Sequence, residues 1–251
     1  SKNGTLSPEA QKVFDALVQR MSEDGFSTEW KGVPPRGEYV WVGEKPLVPA
    51  AGTWKRWVIP QNHDFKIPPP PTYGSPAYTA AVKKVAETAS LRTAEQGAAV
   101  NFWGGIPGTV APAGIWQDVF FAETKSMNLT DEQYAEIQKA LAQGIADSFM
   151  ECWRAKYTFW TKRPSMVDPT IPLAMPNPNF PSYVSGHSTI SATAATILSA
   201  YIPEKKELWF KDAEQARDSR LWAGIHFEHD NMEGFKLGKA VGDIVVTTLK
   251  K

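Results

Sequence analysis

Three short segments in the second half of the sequence carry side chains that could bind an oxyanion and act on it. They supply cations, a hydroxyl group, a glycine amide, two histidines and a carboxylate: Lys156 and Arg163-Pro164, then Ser185-Gly186-His187, then Arg220, His226 and Asp230. Cations and free amides are the groups with which proteins bind phosphate-like anions, and histidine transfers protons near neutral pH. These residue types therefore point to chemistry on phosphate or vanadate.

The first segment places two cations at a helical spacing. Lys156 and Arg163 are seven residues apart, close to two turns of an α-helix, which predicts that both side chains leave one face. Trp153 and Trp160 fall on the same face. Because a proline disfavours helical geometry at the residue before it, Pro164 predicts that Arg163 lies at the helix end. Taken alone, the segment fits a solvated basic helix end better than a binding site.

The second segment follows a proline-rich loop, Pro172–Pro181, and opens a helix of small residues. A helix N-terminus offers free amides and the positive end of a dipole to an anion. Ser185 adds a hydroxyl, Gly186 lets an amide approach a ligand without a side chain in the way, and His187 would project near the anion for proton transfer. A serine N-cap beside a surface histidine is an equally good interpretation of this segment alone.

The third segment needs a turn to act as one site. Arg220 and His226 are six residues apart and would leave different faces of a straight helix, but Gly224 lies between them. Asp230 follows His226 by four residues, which suits a carboxylate–imidazole hydrogen bond that fixes the tautomer. Asp230 with Glu233 also fits the N-cap of a last helix, and the two interpretations are compatible.

Helices are expected to position these segments, and the fold class predicted is an all-α helical bundle with a long, irregular, proline-rich N-terminal segment. Caps and prolines predict helices that begin after Ser7, Ser75 and Thr93, then at Ile115–Thr124, from Thr130 to about Lys162, His187–Tyr201, Glu204–Gly224, and from Asp230 to the C-terminus. From Trp30 to Gly74 the chain shows little periodicity, apart from a short strand predicted at Tyr39–Val42. We therefore predict two parts of one compact unit, residues 1–74 and a catalytic bundle of residues 75–251.

Composition excludes several classes of function. The 251 residues contain 27 Lys plus Arg and 27 Asp plus Glu, so no net field favours nucleic acid or an anionic membrane. Apolar runs are too short to span a bilayer, and a single cysteine, Cys152, excludes an internal disulfide. Anion specificity must therefore be local.

In this order and at these spacings, the three segments resemble the motif of one superfamily. It joins vanadium-dependent haloperoxidases with type 2 phosphatidic acid phosphatases and bacterial acid phosphatases. The motif residues span Lys156 to Asp230, and the helical context extends the resemblance back to about Gly74. The resemblance implies the helical bundle of that superfamily and one pocket for vanadate or phosphate. Because peroxidases of this family are often longer, the chain also fits the active-site part of a longer protein.

The resemblance implies a role for each residue of the motif. The equatorial oxygens of vanadate or phosphate would be bound by Lys156, Arg163, Ser185, Gly186 and Arg220. His226 would be the apical ligand of vanadium, or the nucleophile towards phosphorus. His187 would be the acid–base residue at the opposite apex.

Two aromatic residues favour the peroxidase over the phosphatase. Trp153 and Phe180 occupy places similar to those where fungal-type chloroperoxidases carry Trp and Phe around the halide, although ordinary core packing explains either residue alone. An apolar wall lowers the local dielectric and would strengthen electrostatic interactions there. We interpret the chain as a vanadate-dependent haloperoxidase that uses hydrogen peroxide and halide.

Two other functions stay open on the sequence alone. One is a soluble acid phosphatase that hydrolyses small phosphoesters through a phosphohistidine, with phosphate in the vanadate site. The other is a catalytically silent binding protein that keeps the pocket, which no missing site residue supports. No nucleic acid and no membrane span are predicted, and the resemblance favours export to the periplasm or the extracellular space.

Overall fold

The computed structural model describes residues 6–105 and 110–250, and within these ranges the regular structure is helical. The helices are α1 (Pro8–Glu23), α2 (Pro76–Ser90), α3 (Ala94–Phe102), α4 (Pro112–Thr124), α5 (Asp131–Phe159), α6 (Pro164–Val167), α7 (Gly186–Tyr201), α8 (Lys206–Trp222) and α9 (Glu228–Leu249), with short 3₁₀ helices at Ala51–Thr53 and Pro203–Lys205. The predicted all-α fold is confirmed. Among the described helices, none has the length and apolarity needed to cross a membrane.

The N-terminal caps read from the sequence are formed. The side-chain oxygens of Ser7, Ser75, Thr93 and Thr130 each accept a hydrogen bond of 3.2 Å from the backbone amide three residues later. Each satisfies a backbone donor that the first helical turn leaves without a partner. These caps explain why α1, α2, α3 and α5 begin where the sequence predicts.

Several predicted boundaries are wrong. α5 ends at Phe159, not near Lys162, because Trp160 takes a left-handed backbone conformation with φ of 50°. α4 begins at Pro112, three residues before the predicted Ile115, since proline fits the first helical position. α9 begins at Glu228, before the predicted Asp230.

Two predictions concern the non-helical stretches. The strand predicted at Tyr39–Val42 is reduced to an isolated antiparallel bridge between Val40 and Thr161. Part of the loop predicted at Gly104–Pro112, residues 106–109, lies outside the described residues, as do residues 1–5 of the predicted N-terminal part.

α7 is the central helix, packed against α4, α5, α8 and α9. Its contact with α9 is close because glycines line the facing side of α9: a Cβ on Gly238 would come within 2.1 Å of the Thr189 carbonyl oxygen, and one on Gly234 within 2.7 Å of the Ser185 carbonyl oxygen. Larger side chains would force the two helices apart. The N-terminal end of α7 is thereby held against the beginning of α9.

The irregular N-terminal segment is fixed to α5 by a buried carboxylate. Asp147 on α5 accepts hydrogen bonds from the backbone amides of Trp57, Val58 and Ile59, at 2.6, 2.8 and 2.9 Å. The carboxylate is fully buried, and three amide donors compensate the loss of its hydration. Asp147 thus holds residues 57–59 on the surface of the bundle.

We expect Asp147→Ala to lower the free energy of unfolding by about 3–5 kcal/mol, because it leaves three buried amides without an acceptor. Urea denaturation followed by tryptophan fluorescence measures this loss. Gln138→Ala, at an exposed position of the same helix, is the matched control and should change the free energy by less than about 0.5 kcal/mol. Equal effects of the two substitutions would contradict the role given to Asp147.

Candidate active site

Lys156 lies in the last turn of α5 with its ammonium group buried beneath residues 180–185, here called the site loop. Its Nζ donates to the carbonyl oxygens of Pro181, Ser182 and Val184, at 3.0, 2.7 and 2.5 Å. These bonds use all three N–H donors of the ammonium group. Burial, the largest cause, lowers the pKa of Lys156 from 10.5 to about 8. The charge is therefore present at neutral pH and fixed by carbonyl dipoles.

Arg163 reaches the same region from a different element, so the prediction that it shares a helix face with Lys156 is wrong. Because α5 ends at Phe159, Arg163 lies in extended backbone before α6, as the proline after it predicts. Its Nε donates to the Phe180 carbonyl oxygen at 3.1 Å and its Nη1 to that of Ile225 at 2.8 Å. Nη2 is buried and has no partner among the described residues. Burial lowers the pKa of Arg163 to about 9, which leaves the guanidinium charged at neutral pH.

The aromatic pair predicted to surround a halide is brought together beside these cations. The ring centroids of Trp153 and Phe180 are 4.9 Å apart. Lys156 Nζ lies 5.1 Å and Arg163 Cζ 5.0 Å from the Phe180 ring centroid. Trp153 is fixed in turn, because its Nε1 donates to the Leu47 carbonyl oxygen at 3.1 Å. The site thus has an apolar wall on the side where the two cations converge.

Ser185, Gly186 and His187 form the N-terminal end of α7, as predicted. Ser185 is the N-cap, and its Oγ accepts a hydrogen bond from the Ser188 amide at 3.4 Å. Its own amide donates to the Asp230 carbonyl oxygen at 2.9 Å. The first turn of this 16-residue helix therefore faces the site with the positive end of its dipole.

His187 is held by a contact that the sequence did not predict. Its Nε2 lies 2.6 Å from the Trp103 carbonyl oxygen, and since a carbonyl only accepts, Nε2 carries a proton. Burial, reinforced by the nearby charge of Arg220, holds the pKa of His187 well below its ordinary value. The imidazole is therefore neutral at neutral pH until a bound anion offsets that positive charge.

Arg220 is a third buried cation, at the end of α8. Its Nε donates to Ser219 Oγ at 2.9 Å, its Nη2 to the Val100 carbonyl oxygen at 3.3 Å, and its Nη1 contacts Met175 Sδ at 3.3 Å. Burial lowers the pKa of Arg220 to about 9. After α8 the chain reverses at Gly224, whose φ of +78° requires glycine. This is the turn that the sequence predicted.

His226 is oriented by Asp230, as the four-residue spacing predicts. Its Nδ1 lies 3.0 Å from Asp230 Oδ2, and its Nε2 lies 3.3 Å from Arg163 Nη1. Because the carboxylate accepts a hydrogen bond from Nδ1–H, Nε2 carries the lone pair, and this lone pair accepts a hydrogen bond from Arg163 Nη1. Burial, then Arg163, lowers the pKa of His226 to about 3, while hydrogen bonds and the neighbouring histidines hold the pKa of Asp230 at about 2 despite its burial.

Asp230 is the third residue of α9, not the N-cap predicted from the sequence. Its Oδ2 accepts from the Phe227 amide at 3.1 Å, so it satisfies a free donor of the helix end from inside the first turn. The same oxygen accepts from Ser182 Oγ at 2.5 Å, and that hydroxyl lies 3.2 Å from His226 Nδ1. Asp230 thus joins α9, the site loop and His226.

Ser182 is the site residue that sequence reasoning missed. It lies three residues before Ser185, but nothing in its spacing predicts a partner 48 residues away. The carbonyl of Trp103 and the thioether of Met175 were missed for the same reason, because their contacts join segments distant in sequence.

The site contains more buried positive groups than buried negative groups. Three cations are fully buried here: Lys156, Arg163 and Arg220. Among the described residues, Asp230 is the one buried carboxylate that lies beside them. The other two, Asp147 and Glu151, bind the N-terminal segment instead. Buried charges are costly without a partner. The arrangement favours the binding of an anion with several oxygens, which would supply the missing negative charge.

We expect Ser182→Ala to lower stability by about 1–2 kcal/mol through the lost bond to Asp230, and to weaken phosphate binding roughly tenfold because His226 is less firmly oriented. Isothermal titration with phosphate and urea denaturation measure the two effects. Ser148→Ala, which removes a buried hydroxyl of α5 bonded to the Ile145 carbonyl, should leave phosphate affinity unchanged. Unchanged affinity in Ser182→Ala would show that the hydroxyl does not position His226.

The affinity for phosphate should depend on pH through Lys156. Its pKa in the free protein, about 8, rises again when an anion binds, so binding above pH 8 requires proton uptake. Affinity should therefore be constant just below pH 8 and fall above it, by at most about tenfold per pH unit for one proton. Isothermal titration from pH 7 to 10 measures the profile. Lys156→Gln keeps N–H donors but lacks the charge, so its phosphate affinity should not fall above pH 8 through loss of the lysine proton. Any fall that remains in this variant comes from the ionisation of phosphate.

Known proteins match this chain in part of its sequence and in its fold. A family model described as the PAP2 superfamily matches residues 140–251, and no curated protein sequence matches. A bacterial vanadium-dependent iodoperoxidase superposes with a TM-score of 0.84 at 22% identity, over 96% of this chain and 68% of that one. A bacterial vanadium-dependent chloroperoxidase superposes with a TM-score of 0.78 at 14% identity, over 96% of this chain and 71% of that one.

A membrane phosphatase matches less of the chain. The transmembrane PAP2-type phosphatidylglycerolphosphate phosphatase of Bacillus subtilis gives a TM-score of 0.50 at 17% identity, over 70% of this chain and 87% of that one. At such identities the structural likenesses establish the fold, while the family match covers the three motif segments. Residues 140–251 therefore match the PAP2 superfamily, and the chain has the all-helical fold found in both vanadium-dependent haloperoxidases and PAP2-type phosphatases.

Proposed function

We propose that this protein is a vanadate-dependent haloperoxidase that oxidises halide with hydrogen peroxide. The observation that carries the proposal is the group of three buried cations with a single carboxylate, set against the Trp153–Phe180 pair. The cations favour a bound oxyanion, and the apolar pair beside Lys156 and Arg163 favours a weakly hydrated anion such as a halide next to it.

The residues present fit vanadate. His226 Nε2 carries a lone pair that accepts from Arg163 Nη1 at 3.3 Å, and it would bind vanadium in place of that hydrogen bond. Arg163 Nη2 is a buried donor without a partner in the described residues, and an equatorial oxygen would satisfy it. The residues proposed to bind the other oxygens of the anion are Ser185, Gly186 and Arg220. Lys156, whose three N–H donors are bound to backbone carbonyls, would stabilise the anion through its charge. Bound vanadate would supply the activation of hydrogen peroxide for oxygen transfer to halide.

The protein's own groups would then stabilise charge and move protons. Arg163 and Arg220 hold negative charge on the anion in fixed positions, and Lys156 adds its charge from beneath the site loop. His187, whose Nε2–H is bound to the Trp103 carbonyl, is proposed to act as the acid–base residue that would transfer a proton to or from the bound anion. Asp230 keeps the proton of His226 on Nδ1 throughout.

A phosphatase is the second candidate, and the match of residues 140–251 to the PAP2 superfamily favours it. The lone pair of His226 Nε2 would attack phosphorus once released from Arg163 Nη1, and His187 would protonate the leaving group before water cleaves the phosphohistidine. Vanadate and phosphate would compete for one set of cations. A silent binding protein would bind phosphate and catalyse neither reaction.

The deciding experiment uses purified protein loaded with vanadate and given hydrogen peroxide, bromide or iodide, and a dye acceptor. We expect peroxide-dependent halogenation that disappears when phosphate replaces vanadate. Hydrolysis of p-nitrophenyl phosphate without halogenation would establish the phosphatase instead. Phosphate binding without either activity would establish the silent binding protein.

His226→Ala should lower halogenation by at least about 100-fold, because it removes the apical ligand. Lys139→Ala, an exposed lysine on the helix that carries Lys156, should keep full activity. Circular dichroism should show that both variants are folded. Full turnover by His226→Ala would contradict the assignment of the site.

A further inference from the structure

A cavity of about 470 Å³ lies directly beside the proposed site. Gly104 and Gly105 line it and join it to the site: the Gly104 carbonyl oxygen lies 3.5 Å from Arg220 Nη1, and a Cβ on Gly105 would lie 3.4 Å from His187 Nε2. Its wall is otherwise mostly apolar, with Phe102 and Ile115 among the lining residues. A small neutral molecule formed at the site would therefore have this mostly apolar cavity next to it.

Met175 is the sulfur-containing residue in the cavity wall. Its Sδ contacts Arg220 Nη1 at 3.3 Å, so the thioether touches both the cavity and one of the proposed anion-binding cations. A thioether is only a weak hydrogen-bond acceptor, so the N–H of Arg220 Nη1 that faces it stays available to an anion. Methionine is also readily oxidised to the sulfoxide.

We infer that Met175 is an oxidation site, at which hypohalous acid converts the thioether to a sulfoxide and weakens oxyanion binding at Arg220. The part of this inference that assigns the oxidant to the protein's own site rests on the proposed peroxidase function. In the reaction an S–O bond forms and the O–halogen bond breaks. Sulfur loses two electrons, the halogen leaves as halide with them, and the hydroxyl proton passes to water.

The sulfoxide changes what Arg220 can bind. Its oxygen is a far stronger acceptor than the thioether sulfur and projects from the atom already 3.3 Å from Nη1. Arg220 would then donate to the sulfoxide oxygen in competition with the anion. Because methionine sulfoxide reductases restore the thioether, the effect would be reversible.

The first experiment does not depend on catalysis. Purified protein is treated with hypobromous acid, and phosphate affinity is measured by isothermal titration before and after treatment, in wild type and in Met175→Leu. We expect about tenfold weaker binding after oxidation of the wild type, the effect of one lost charged hydrogen bond. Oxidised Met175→Leu should keep its affinity, and methionine sulfoxide reductases should restore that of the wild type. Equal losses in the two proteins, or no loss in either, would overturn the inference.

The second experiment tests the origin of the oxidant. During turnover with vanadate, peroxide and bromide, peptide mass spectrometry compares sulfoxide at Met175 with sulfoxide at Met21, which lies on α1 with 59% of its surface exposed. Oxidant released at the site should oxidise Met175 first, whereas hypobromous acid added from outside should favour the more exposed Met21. If the protein halogenates the acceptor but Met21 is oxidised before Met175, the inference that oxidant from the protein's own site oxidises Met175 is wrong. Absence of halogenation would overturn the proposed peroxidase, and the first experiment would still decide whether Met175 controls Arg220.

Discussion

Three cations, Lys156, Arg163 and Arg220, are buried in one small region, and their need for partners shapes the elements around them. An ammonium or guanidinium group removed from water needs hydrogen-bond acceptors nearby, and the protein supplies them mainly as backbone carbonyls. Lys156 alone uses three carbonyls of the site loop. These dipoles lower the cost of burial without cancelling the charge, so the region keeps a positive potential for an anion.

That arrangement requires two helix ends to meet. The N-terminal end of α7 carries Ser185 and His187, while the beginning of α9 carries Asp230 just after His226. The close contact at Gly234 holds these two ends together, and Asp230 links them through bonds to Ser182 and to the Ser185 amide. His226 is thus oriented by a rigid junction of helices, which suits a residue that must keep one tautomer.

The same pocket would suit either proposed activity, because vanadate and the phosphate group of a phosphoester both present several oxygens around a central atom to the cations. The basis for choosing between the two activities lies in the residues that surround the pocket. On one side lies the aromatic pair of Trp153 and Phe180, and on the other a mostly apolar cavity that reaches Arg220 and His187. An apolar environment strengthens the field of the cations on a small anion. These walls, more than the cations, are the basis for proposing halide as the substrate.

The helical architecture and most of the groups in the site can be predicted from the order of the amino acids. Capping residues such as Thr93 and Thr130 act within one helical turn, so their effect can be read locally. The spacing of His226 and Asp230 predicted their hydrogen bond for the same reason. The route of Arg163 depends on the folded chain, because one left-handed residue, Trp160, ends α5 before it. So do the contacts of Ser182 with His226 and Asp230, of His187 with Trp103 and of Arg220 with Val100, which join residues 44 to 120 positions apart in the chain. Contacts between segments so far apart depend on how whole helices pack, and no local pattern encodes that packing.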